Sequence, residues 1–72
     1  MAFHHRLKEL REQQNLTLRK LGEKAGISYS ILVSIESGRI IPSKDVALAL
    51  AIALRIDDRE SFLTLTDNPS PL

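Results

Sequence analysis

Apolar residues recur at helical spacing along most of the chain. Phe3, Leu7 and Leu10 stand at i, i+4 and i+7, which predicts a first helix over about residues 3–14. Leu21, Ala25, Ile27, Leu32 and Ile35 form one apolar seam shared by two short helices, over about 18–25 and 28–37. A fourth helix, about 44–54, is apolar nearly all round: Val46, Ala47, Leu48, Leu50, Ala51, Ile52 and Leu54. A helix of that kind belongs at the centre of a domain or at a subunit interface. Phe62, Leu63 and Leu65 then place a fifth helix against the core. The pattern is all-α, a compact five-helix bundle.

The polar residues between these stretches mark where each helix starts and stops. Thr17, Ser28 and Ser43 each precede a helix and can accept a backbone N–H as N-cap. Asn15 is placed to end the first helix, and Gly26 and Gly38 to end the second and third. Ile27 is the expected buried pivot between helices two and three. Gly22 is small where the third helix is expected to cross the second, despite a cost of about 1 kcal/mol for Gly in a helix interior. Pro42 closes the loop Arg39-Ile40-Ile41. Asp57 as N-cap with Glu60 three residues on resembles a capping box and opens the fifth helix. Two short helices joined by a Gly-containing turn make a helix-turn-helix over about 18–37. One domain spans 1–66, and 67–72, with Pro69 and Pro71, reads as a flexible tail.

Composition narrows the function. At 72 residues and 43% hydrophobic, with no cysteine, the chain has neither a disulfide framework nor a thiolate metal site. Packed aliphatic helices must therefore stabilise it. The longest apolar run, Val46–Leu54, is nine residues, too short to cross a bilayer. No signal peptide is read at the N-terminus, so a cytoplasmic location is expected. Net charge is only +1, but it is unevenly spread. Residues 1–44 carry eight Lys/Arg against four Asp/Glu, and residues 45–72 carry two against five. The basic half holds the helix-turn-helix, as expected if one end faces phosphate.

The residues Leu7-Lys8-Glu9-Leu10-Arg11, Leu16-Thr17, Leu21, Lys24-Ala25-Gly26-Ile27-Ser28, Ile35-Glu36-Ser37-Gly38, Pro42-Ser43, Leu50-Ala51 and Leu54 carry a resemblance. Segment 7–56 closely resembles the Cro/repressor-type helix-turn-helix family of the xenobiotic-response-element class. The resemblance implies a lambda-repressor-like DNA-binding domain whose third helix lies in the major groove. Carried over by position, Tyr29, Ser30 and Ser34 are base-reading candidates, with Val33 and Ile31 beside them for thymine methyls. It also implies that Arg11 pairs with Glu36, locking the first helix to the third.

This chain departs from the family pattern in places. Leu18 stands where relatives often carry a phosphate-holding Gln, and the reading face has no Gln or Arg. Ile40, Ile41 and Ile52 stand where relatives often carry polar residues, which suggests a self-association surface. Phosphate contacts are expected from the N-termini of helices two and three, from the Ser28 hydroxyl, and from Arg39, Lys44 and Arg19.

His4 and His5 are adjacent, face different ways, and are expected to be solvated rather than to bind a metal. No nucleophile–base set, Gly-rich phosphate loop or paired-carboxylate cleft is present, so neither catalysis nor a cofactor is expected. The expected function is a small stand-alone transcriptional regulator, a repressor or controller protein, binding a pseudo-palindromic operator in double-stranded DNA as a homodimer. RNA polymerase or a regulatory protein is a further possible partner. The alternative is a protein-interaction module that uses the same fold to bind a partner and not DNA.

Overall fold

Four of the five helices begin where a short polar side chain accepts from an otherwise unpaired backbone N–H; the first alone, preceded by Ala2, has no such cap. In the computed structural model, which describes residues 2–66, the elements are α1 (Phe3–Gln13), α2 (Leu18–Ala25), α3 (Tyr29–Glu36), α4 (Lys44–Ala53) and α5 (Arg59–Thr64). No strand occurs among the described residues. The Thr17 side chain accepts from Lys20 N at 3.0 Å, Ser28 from Ile31 N at 3.3 Å and Ser43 from Val46 N at 3.3 Å. Three of the four hydroxyl- or carboxylate-capped helices thus begin at the residues their sequence marks.

The fifth helix is the exception. Its N-cap is Asp58, not Asp57, and Glu60 has no part in the cap. Asp58 accepts from Ser61 N at 3.1 Å, and the Ser61 hydroxyl donates back to the same carboxylate at 2.7 Å. Two adjacent aspartates offered the same chemistry, and the one with a hydroxyl three residues on took the cap. Those two donors hold the Asp58 carboxyl below the usual carboxylate range. The contribution is therefore present above the unfolded value of about 3.9 and is lost as pH falls through the lowered folded value.

Helix ends follow the left-handed residues. Asn15 has φ 57° and Gly26 φ 72°. Nothing lies within 4 Å of a Cβ placed on Gly26, so glycine is favoured there by backbone conformation and not by lack of space. Arg55, at φ 54°, ends α4 in the same way, a position with no glycine or asparagine to announce it. Ser37 and Leu54, expected inside their helices, are C-caps.

Gly22 is needed for a different reason from the expected one. A Cβ there would sit 2.7 Å from the carbonyl oxygen of Ile27, in the turn, whereas the nearest atom of α3 (in the Leu32 side chain) is 3.9 Å away. The turn itself folds back onto α2, as Ile27 N donates to Gly22 O at 2.9 Å. Ile27 is accordingly half-buried under its own turn, packed against the core's edge.

The core consists of Phe3, Leu7, Leu21, Leu32, Ile35, Ala47, Leu50, Ala51, Leu54 and Phe62. α4 packs on α2 and α5, while α3 packs on α2 and α1. Phe3 and Phe62 close the bundle from opposite ends of the chain, with ring centroids 4.7 Å apart. Gln14 ties α1 to α4 by donating its side-chain amide to Leu54 O at 2.6 Å, which satisfies a carbonyl at the α4 terminus. The expected tail, 67–72, lies outside the described residues.

Candidate nucleic-acid interface

α3 is held by one face and by one ion pair. Leu32 and Ile35 are fully buried, which turns Ser30, Val33 and Ser34, at i, i+3 and i+4, to the opposite side. Ser30 and Val33 are exposed and Ser34 is half-buried. Ile31 is exposed on the flank of this ridge. Tyr29, 44% exposed, stands on the other flank, where α2 begins.

Arg11 reaches α3 from the last turn of α1. Its Nε donates to Glu36 Oε2 at 2.6 Å and its second terminal nitrogen to Glu36 Oε1 at 3.1 Å, a two-pronged pair. The remaining terminal nitrogen donates to Leu16 O at 2.6 Å, fixing the loop that leads into α2. The side chains are only 13% and 8% exposed. The bond to Glu36 raises the Arg11 pKa above its already high ordinary value. The pair neutralises a carboxylate on the helix that carries the outward ridge.

Three exposed cations lie at or next to the ends of α2, α3 and α4. Arg19 is exposed in the first turn of α2, with its guanidinium carbon 4.5 Å from the centroid of the Tyr29 ring. Arg39 is exposed just past the end of α3, and Lys44 is exposed at the first position of α4. The Ser28 hydroxyl accepts from Ile31 N, which leaves its own hydrogen to donate outward. The first two backbone N–H groups of α2, at Leu18 and Arg19, and of α3, at Tyr29 and Ser30, have no acceptor inside their helices. The helix-turn-helix thus combines two positive helix ends with an uncharged ridge of hydroxyls and aliphatics. That arrangement suits a polyanion with a groove.

The sequence profile of the helix-turn-helix family matches residues 7–60, three-quarters of the chain. The chain belongs to the Cro/C1-type helix-turn-helix family. Neither a curated protein nor a solved structure matches it. Membership in this helix-turn-helix family makes it a DNA-binding domain of the transcription-regulator type, a regulatory class and not an enzymatic one. No helix among the described residues is long and apolar enough to cross a membrane.

Other residues fall outside this face. Ile40, Ile41 and Ile52 are all exposed, Ile41 at 62%, so none of the three packs within the monomer core. Leu48, one turn before Ile52 on α4, is exposed as well. The sequence missed it, because an all-round apolar helix does not reveal which of its faces is uncovered.

His5 is exposed as expected, but His4 is not. His4 is half-buried, with its ring against Gly38, where a Cβ would meet it at 3.0 Å. The His4 and His5 rings lie 4.1 Å apart between centroids and do not point away from each other. Among the described residues no group of three or more His, Cys, Asp or Glu side chains is gathered to hold a metal.

Proposed function

We propose that this protein is a homodimeric transcriptional regulator that binds a pseudo-palindromic operator in double-stranded DNA. The observation that carries it is the outward ridge of α3, Ser30, Val33 and Ser34, opposite the buried Leu32 and Ile35, in a chain whose exposed cations include Arg19 at the start of α2, Arg39 just past α3 and Lys44 at the start of α4. α3 enters the major groove, where Ser30 and Ser34 donate or accept at base edges and Val33 packs on thymine methyls. The free N–H groups of α2 and α3, the Ser28 hydroxyl and the cations hold phosphates on either side. Short uncharged side chains add little to the electrostatic attraction common to all DNA, so they act on choice of site rather than on grip. Regulation follows from occupancy: a protein bound over a promoter blocks it, or contacts polymerase from beside it.

The experiment is a titration against DNA from upstream of the protein's own gene, at several salt concentrations. Phosphate binding weakens steeply as salt rises, whereas capture of a protein partner by the apolar flank does not. Arg39→Ala and Lys44→Ala should each weaken binding on every sequence and lower the salt slope by about one unit, the signature of one phosphate contact apiece. An unchanged slope in both variants removes these residues from the interface.

The dimer is assigned to the aliphatic surface of Ile40, Ile41 and Ile52, extended by Leu48. Two copies related by a two-fold axis would present their α3 helices to successive major grooves about 34 Å apart. Ile52→Lys is expected to move the protein toward monomer in sedimentation while its helical circular dichroism is unchanged. Unmodified protein that stays monomeric at high concentration would sink this assignment.

A further inference from the structure

The Tyr29 ring and the Arg19 guanidinium are drawn together across the helix-turn-helix. The two residues come from the first turns of different helices, and the guanidinium carbon lies 4.5 Å from the ring centroid. Both are exposed at the rim of the candidate interface. Among the described residues no carboxylate forms an ion pair with Arg19. The aromatic face is therefore the group that meets its charge. Lys20, next in sequence, is instead 3.7 Å from the carboxylate of Glu23.

We infer that Tyr29 is a positioning residue for Arg19, holding the guanidinium over its ring as a phosphate clamp, and does not read a base. This rests on the DNA-binding reading above. A free Arg side chain has many rotamers, and ordering it on a phosphate carries an entropy cost. A ring beneath the guanidinium restricts those rotamers before DNA arrives. The cation meets the ring through the aromatic face, which accepts no N–H hydrogen bond of the ordinary kind. The guanidinium's N–H groups therefore remain available to a phosphate oxygen.

Position supports the same role. Tyr29 stands on the flank of α3 nearest the start of α2, beside the unpaired N–H groups of Leu18 and Arg19. Leu18 has no side-chain donor to offer a phosphate, and its neighbour Arg19, propped on Tyr29, supplies one. The ring and the guanidinium together border a shallow depression with Arg11, Thr17 and Leu18. A phosphate set there would meet the free N–H groups and the clamp together.

The test combines the free protein with two DNA probes. In free protein, NMR should show the Arg19 δ-methylene protons shifted upfield by the ring in the unmodified protein and in Tyr29→Phe. They should lie at ordinary positions in Tyr29→Leu. Affinity is then measured for a random-sequence duplex and for a duplex the unmodified protein selects from a random pool. Tyr29→Leu should weaken both by the same factor, about two- to fivefold, and Tyr29→Phe neither. Arg19→Ala should weaken both, and adding Tyr29→Leu to it should cost nothing more.

Absence of the ring-current shift in unmodified protein overturns the pairing, whatever DNA does. Losses that add in the double variant, or a Tyr29→Leu loss confined to the selected duplex, overturn the positioning role and return Tyr29 to base reading. If the unmodified protein binds neither probe with salt dependence, the DNA-binding reading itself falls and the clamp falls with it. The ring-current result then still reports separately on whether the pair forms.

Discussion

Replacing Arg11 with alanine is expected to destabilise the fold by about 2–4 kcal/mol, measured by urea or thermal unfolding. Three bonds leave at once: two to Glu36 and one to the carbonyl of Leu16. The Glu36 side chain, 8% exposed, would remain as a charge with little water and no partner. That penalty, more than the lost attraction, sets the size of the effect. Arg11→Lys keeps the charge but cannot reach both carboxylate oxygens and Leu16 O together, so an intermediate loss is expected. For a domain of this size the alanine loss is a large fraction of total stability. A loss within about 0.5 kcal/mol would mean that solvent replaces the pair readily in solution.

Gly22→Ala reverses an ordinary rule, and its sign is the measurement. Glycine to alanine in a helix interior normally stabilises by about 1 kcal/mol. Here the new Cβ would meet the Ile27 carbonyl oxygen at 2.7 Å. That oxygen is backbone, and the Ile27 N–H bond back to Gly22 O holds it in place. The turn must open or α2 must shift, and a net loss of about 1–3 kcal/mol is expected. Because the same turn sets α3 against α2, any variant that still folds should also bind DNA less well. A stabilised variant would show that the turn yields freely, contrary to the packing described.

These two variants separate what local chemistry shows from what packing adds. The hydroxyl caps at Thr17, Ser28 and Ser43 depend on residues within three positions of each other, and they are legible in one dimension. So are the buried seam of Leu21, Leu32 and Ile35 and the left-handed residues Asn15 and Gly26, since periodicity and backbone sterics act over a few residues. Local chemistry failed where two neighbours were equivalent. Asp57 and Asp58 offer the same carboxylate, and the Ser61 hydroxyl chose between them.

The family's sequence pattern made the Arg11–Glu36 pair readable across 25 positions, which residue chemistry alone does not reach. The outward side of α3 follows from its own helical period once Leu32 and Ile35 are buried. By itself, then, the sequence determined the five helices, most of their ends and the helix-turn-helix, because all of these are set by short-range sterics and the apolar period. Only the tertiary structure decided that Gly22 makes room for a carbonyl in the turn and that Gln14 closes the end of α4. It also decided that His4 lies on Gly38 and that Arg19 rests on Tyr29. Each of these joins residues from separate elements, and their meeting depends on how helices pack, which no local pattern in the chain encodes.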